Sequence, residues 1–307
     1  MTRYQANIVL LVAAFMWGSG NVAQQTVLEH VGPLTTTGLK SLIAAIVILP
    51  YCLTRPRSLE PLGWHGAIIG LVVILSFCMA LTALQMGFGL TSVTNAGFLV
   101  NTATVLTPIL AWLLLRNRPG YTVWLAAIAT FSGAALMSGA SSGSLGPGDL
   151  LCLVSAVCFA VWMIALGEFV NRFGRAGPVT IIQFAATALI CTPLGVATEA
   201  PSLAALGTAL PELLFIGAIS TGGGYLLQAI AQRHTSASEA AVIVSAEAVF
   251  GAIAAFMILG ESLTSVRAVG AVLISAGIIL VQLRFGSLRR PAVPSPAPMP
   301  SQTTAVR

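Results

Sequence analysis

Glu247 stands alone in the run "VIVSAEAVFGAIAAF" (242–256), a stretch otherwise built of apolar and small residues. An ionisable group at bilayer depth costs at least about 2.5 kcal/mol on insertion scales, so it faces a cavity or a partner. Glu247 lies roughly 16 Å into its segment at 1.5 Å per residue, which is close to mid-depth. A carboxylate there can bind a substrate ammonium, carry a coupled proton, pair with another helix, or sit protonated and passive. Lys40 is the only lysine in the chain and lies about two helical turns inside its own apolar segment. Its four-carbon stem allows it to snorkel to the interface. Pairing with Glu247 or with a substrate carboxylate are the other two readings.

Neutral polar residues fall in stripes at helical spacing. Trp17, Asn21 and Gln24 share one face, as do Tyr225, Gln228 and Gln232, and Thr180, Gln183 and Thr187. Thr94, Asn101 and Pro108 follow at i, i+7, i+14, the proline also loosening its helix. Ser155, Phe159 and Trp162 group together, and Gln85 adds one more amide. Interhelical hydrogen bonds of about 0.6 kcal/mol each would account for many of these residues singly. Taken together, amide, hydroxyl and aromatic walls suit a small zwitterion better than an inorganic ion. The candidate substrate-binding set is therefore Trp17, Asn21, Gln85, Asn101, Trp162, Gln183, Tyr225, Gln228 and Glu247. Glu247 and Lys40 are the candidate coupling or charge partners.

Other chemistries find little support. Cys52, Cys78, Cys152, Cys158 and Cys191 lie in or beside apolar segments without metal-ligand spacing, and His30, His65 and His234 are far apart. They read as packing thiols and isolated imidazoles, so neither a metal nor a cofactor is expected. "STGGGY" (220–225) lacks the Lys-Ser/Thr of a phosphate loop. It and "GSG" (18–20) read as close-packing sites or helix-weakening hinges.

The elements that must position these residues follow from composition. The 307 residues are 57% hydrophobic and 7% charged, against roughly a quarter charged in soluble domains. The mean hydropathy is +0.93. The bilayer is the solvent. Ten apolar runs of membrane-spanning length occur at about 7–26, 34–53, 65–86, 93–115, 121–139, 149–167, 178–197, 211–231, 237–259 and 264–283. The first, preceded by Arg3 and followed by no small-residue cleavage site, reads as a retained helix rather than a leader. Lipid leaves backbone groups no water to bond, so the runs should be helices; continuous runs rather than alternating ones exclude a β-barrel. The fold class predicted is an all-α integral membrane protein with ten transmembrane helices.

With the N-terminus inside, twelve of the fourteen Lys and Arg residues fall on the cytoplasmic side. Only Arg267 falls outside, and Lys40 is intramembrane. The positive-inside rule thus places both termini in the cytoplasm of a multi-pass protein of the inner (plasma) membrane. The net charge of +5 serves this topology and gives no reason to expect nucleic acid. The Pro/Ser-rich segment 285–307 reads as a disordered cytoplasmic tail.

Shifting the chain by 144 residues lays "TSVTNAGFLVNTATVLTPILAWLLLRNRPG" (91–120) on "TSASEAAVIVSAEAVFGAIAAFMILGESLT" (235–264) without a gap. The register continues to Gly133 over Gly277, and Ala103 falls on Glu247. A shift of 145 lays Trp17 on Trp162 and "GP" (32–33) on "GP" (177–178). The chain reads as two five-helix repeats, 5–140 and 147–284. Five is odd, so the second is inverted relative to the first. Inverted repeats mark secondary transporters with a midplane site between the halves.

This layout resembles the drug/metabolite transporter superfamily, in particular its EamA branch. The matching pieces are "WGSG" (17–20), "AEAVFGAIAAFMILGE" from Ala246 to Glu261, "GESL" (260–263) and "GAVLISAGIILV" (270–281). Ala248 stands where many members have Pro, Asn117 where the first repeat usually has an acid, and Lys40 where Arg is frequent. The resemblance implies export of small metabolites, with amino acids the best-represented cargo. A drug or nucleotide-sugar carrier of the same superfamily is the alternative cargo class, and an integral-membrane enzyme is the alternative of another kind. The expected partners are a small-molecule substrate and the lipid bilayer, with a monomer or homodimer as the assembly.

Overall fold

The computed structural model describes residues 1–54, 62–91, 93–116, 118–138, 145–259 and 264–282, with the side chains of 93–95 and 259 outside the description. Asn117, "GESL" (260–263) and the tail 285–307 therefore lie outside the described residues, as does the side chain of Thr94. Within the described residues every regular element is helical.

Five of the ten predicted spans are single, long helices: α1 (Arg3–Leu28), α2 (Pro33–Thr54), α3 (Gly63–Phe88), α7 (Pro147–Phe173) and α8 (Ala176–Glu199). Their starts are written in the sequence. Thr2 caps α1 through a reciprocal box with Gln5, and Pro147 opens α7 beside Asp149, whose Oδ2 accepts from Gly146 N at 2.9 Å. The tenth span is α14 (Ser265–Gln282) and the fifth is α6 (Tyr121–Ser138), each 18 residues long. Nine described helical stretches meet the length and hydropathy needed to cross a bilayer, and Tyr121–Met137 is a shorter apolar helix. Large apolar side chains cover the outside of the bundle, Leu189 and Met257 each 75% exposed. Such a surface is stable only against hydrocarbon.

The fourth, eighth and ninth spans are broken. The fourth is α4 (Val93–Asn101) and α5 (Ala103–Leu115), and the ninth is α12 (Ala237–Val244) and α13 (Glu247–Leu259). The 144-residue shift lays Thr102 on Ala246, so the two breaks coincide to within a residue. At each, a hydroxyl bonds back one turn, Thr102 Oγ1 to Leu99 O at 2.6 Å and Ser245 Oγ to Val242 O at 2.5 Å. The ladder tightens there to i−3 bonds, Thr102 N to Leu99 O and Ala246 N to Ile243 O. Back-bonding of this kind bends helices. The eighth span, preceded by the short α9 (Leu203–Thr208), begins as α10 (Leu210–Phe215). It then widens into a π-helical segment, Ile216–Gly223, and closes as α11 (Gly224–Ala231).

Equivalent helices of the two repeats run antiparallel, which is the inversion seen directly. Along α2 and α8, Gly195 backs onto Thr35, Gly38 onto Thr192 and Gly177 onto Cys52. Along α6 and α14, a Cβ on Gly133 would lie 2.5 Å from Gly270 O, and one on Gly277 2.9 Å from Ala126 O. Applying the 144-residue shift to the first contact generates the second. The all-α fold of two inverted five-helix repeats is therefore held where glycines let backbones meet.

Candidate functional site

The α1 face that carries Trp17, Asn21 and Gln24 meets a different partner at each step. Trp17 packs on the bare backbone of Gly224, and its ring lies 4.8 Å from that of Tyr225. One turn on, Asn21 Nδ2 donates to Glu247 Oε1 at 3.2 Å. One turn further, Gln24 Oε1 accepts from Lys40 Nζ at 2.9 Å.

Glu247 opens α13 immediately after the break in the ninth span. Gly18 is what brings α1 close enough for the Asn21 bond, because a Cβ there would lie 2.7 Å from Glu247 O and Gly251 N. Glu247 and Asn21 are both partly exposed, so the pair is reachable from the interior. The carboxylate is also within electrostatic reach of Tyr225.

Tyr225 is the hub of an aromatic cluster drawn from both repeats. Phe77 (4.9 Å), Trp162 (5.4 Å), Phe184 (6.1 Å) and Phe159 (6.5 Å) surround its ring alongside Trp17. The π-helical turn preceding α11 sets Tyr225 into that position, and Gln228 follows one turn later. Trp162 Nε1 donates to Gln183 Oε1 at 2.9 Å, so these two predicted residues partner each other. Gln228 is buried and neither atom of its amide has a partner, and Trp17 Nε1 is likewise buried without an acceptor. Unmet polar atoms of this kind cost about 1–3 kcal/mol each unless something else satisfies them.

Lys40 is 4% exposed. Its ammonium donates to Gln24 Oε1 and, at 2.7 Å, to Gln85 Oε1. It neither snorkels nor pairs with Glu247, because α1, α2 and α3 enclose it and supply two amide oxygens first. The ion pairs among the described residues lie elsewhere. Arg3 meets Glu239 at 3.0 Å at one end of the bundle, and Arg172 meets Glu168 one turn apart.

Asn101 accepts from Thr104 at 3.0 Å inside its own span, at the break, and no direct bond ties it to the cluster. Sequence reasoning passed over Phe77 and Phe184, whose signal was an aromatic at the depth of the Trp17 and Trp162 stripes. It also placed Gln24 in a stripe without giving it a partner. Two clefts, of about 360 and 300 Å³, lie around His65, Glu168 and Arg172 and around Gly66 and Phe169. None of the candidate residues lines them.

The EamA-like transporter family pattern matches residues 5–139 and again residues 146–283. An uncharacterized transporter of Archaeoglobus fulgidus is 29% identical over 92% of this chain and 87% of its own length. An uncharacterized transporter of Bacillus subtilis, YwfM, is 25% identical over 90% of this chain and 93% of its own. The uncharacterized inner membrane transporter YicL of Salmonella typhimurium is 26% identical over 89% and 94%. A crystal structure at 19% identity superimposes with a TM-score of 0.78, covering 92% of this chain and 98% of that one, and so shares its fold. A doubled helical bundle with broken spans facing a polar interior, matched twice by one family pattern, shows that the chain belongs to the EamA-like transporter family.

Proposed function

We propose that this membrane transporter carries amino acids by alternating access, exporting them across the inner membrane, with both termini cytoplasmic. The units 5–140 and 147–284 would rock about the midplane, and 285–307 would trail as a cytoplasmic tail. The observation that carries this reading is the bond from Asn21 of the first repeat to Glu247 of the second. It sits at a broken span, and broken helices at equivalent places in two repeats point to the cargo site. A carboxylate beside Trp17 and Tyr225 suits a primary ammonium, since indole and phenol faces attract cations.

Glu247 then has two roles open to it, ammonium ligand or carrier of a coupled proton, and one experiment separates them. Counterflow of each amino acid in proteoliposomes is measured for wild type and Glu247→Gln across pH. Exchange by wild type supports the cargo class. A variant that loses exchange at every pH makes Glu247 a ligand; one that exchanges but no longer responds to a proton gradient makes it the coupling site. Exchange of no amino acid by wild type, or normal gradient-driven transport by the variant, overturns the reading. A nucleotide cargo is disfavoured because Lys40 is the single cation at the site among the described residues.

A further inference from the structure

We propose that Lys40, Gln24 and Gln85 form a second, anion-accepting subsite, built to take the carboxylate of the cargo. The inference rests on the transport reading above, and extends it from the ammonium end of the molecule to the other end.

Donors outnumber acceptors around Lys40. A lysine ammonium has three N–H donors and no acceptor, and a glutamine amide has one oxygen and one NH₂. Lys40 Nζ uses two donors, on Gln24 Oε1 and Gln85 Oε1. The amides cannot be turned round, since that would aim NH₂ groups at an ammonium. With their oxygens so engaged, Gln24 Nε2 and Gln85 Nε2 are left as donors, and both are buried with no acceptor. Gln85 is 0% exposed and Gln24 9%. Three adjoining helices thus bring together a positive charge and five unused N–H donors on three nitrogens, Lys40 Nζ, Gln24 Nε2 and Gln85 Nε2, where an internal lysine would ordinarily be met by a carboxylate.

Among the described residues no carboxylate forms an ion pair with Lys40. Glu247 is held by Asn21, and Glu199 accepts from the backbone N–H groups of Leu34 and Thr35 at 2.7 and 2.8 Å. The Cys191 thiol, which interacts electrostatically with Lys40, is hydrogen-bonded with Thr82. A carboxylate has two oxygens with about four lone-pair sites, which is the acceptor complement the cluster lacks. Asn21 and Gln24 are one turn apart on α1, a rise of roughly 4.5 Å, so the acid and the base are presented from one helix at the scale of a zwitterion.

The test uses purified full-length protein, in proteoliposomes and in detergent. Counterflow of leucine and phenylalanine is competed with leucinamide, phenylalaninamide, isoamylamine and phenethylamine, which keep the ammonium and lack the carboxylate. Wild type should prefer the acids by at least about tenfold, the worth of one charge-assisted hydrogen bond. Lys40→Met and Gln85→Leu should bring that preference to within about twofold. Gln85→Glu supplies an internal carboxylate, so it should fold at least as stably as wild type while losing the preference, which guards against a Lys40→Met chain that fails to fold. In detergent, glycine and sodium acetate at the ionic strength of sodium chloride should raise the thermal midpoint of wild type and leave Gln85→Glu unmoved.

Equal competition by acids and amines in wild type, or a preference unchanged in Gln85→Glu, overturns the subsite while leaving amino-acid transport standing. A shift as large with chloride as with acetate also overturns it, assigning the donors to an adventitious ion only. Failure of wild type to exchange any amino acid, with the acetate shift and its loss in Gln85→Glu intact, overturns the amino-acid reading and keeps the anion subsite.

Discussion

The fourth span breaks at Thr102 and the ninth at Ser245–Ala246, positions that the repeat superimposes to within a residue. Both use the same device, a hydroxyl bonded to the carbonyl three residues back. Past the break the two diverge. The ninth span places Glu247 first in its new helix, while the fourth places Ala103. Around them the packing differs too. Gly18 presses α1 against Glu247 and Gly251, whereas Gly97 in the fourth span has nothing within 4 Å of where a Cβ would stand. Duplication therefore supplied two equivalent hinges, and side-chain divergence made only one of them a charged site. Symmetry built the frame, and chemistry at one position broke it.

The comparison can be tested most severely at the charge. Glu247→Ala should reduce amino-acid exchange on the order of 10–100-fold, the loss expected for a hydrogen bond to a charged group. Adding Ala103→Glu, which moves the carboxylate to the equivalent place in the other repeat, should not restore it, because Asn21 meets the ninth span. Counterflow rates check both; recovery in the double variant would show that the two hinges are interchangeable.

Next in size is the close approach that seats Glu247. Gly18→Ala should destabilise the protein by about 1–3 kcal/mol, as overpacking does, read as a lowered thermal midpoint in detergent. An unchanged midpoint would mean that α1 and α13 are not in backbone contact.

The hinges themselves should respond more mildly. Ser245→Ala and Thr102→Val each remove one side-chain hydrogen bond, worth about 0.5–1.5 kcal/mol. Turnover in counterflow should fall in both, and further for Ser245→Ala, since that hinge aims the charged residue. Equal losses would make the breaks general flexibility rather than a positioning device. Smallest of all, Gly97→Ala should raise the thermal midpoint slightly, by the roughly 0.4–1 kcal/mol of a glycine replaced where space is open. A fall would show that the fourth span packs more tightly than its counterpart.

Legibility differed sharply between features of the chain. Helical period put Trp17, Asn21 and Gln24 on one face, and the structure keeps them there, yet period says nothing about what each residue will meet. Trp17 finds Tyr225, Asn21 finds Glu247 and Gln24 finds Lys40 because three other helices crowd that face. Trp162 and Gln183 were both legible as polar groups at depth, but their mutual hydrogen bond comes about because α7 and α8 both pack against α3. Asn101 looked like their equal and lies instead at a hinge, bonded locally to Thr104. The π-helical turn before Tyr225 had only "STGGGY" to announce it, and runs of glycine read equally well as packing surfaces.

By itself the sequence determined that the chain crosses a membrane as helices, since so few charges and such long apolar runs leave the backbone no other way to satisfy its polar groups. It also determined the doubling and inversion, because five odd spans repeated must alternate in direction. Only the tertiary structure decided where three spans break, and that Lys40 is enclosed by two amides instead of reaching the interface or Glu247. Those outcomes depend on which backbones the small residues allow to meet, at Gly18, Gly38, Gly133 and Gly195, and such contacts link residues too far apart in the chain for local pattern to register.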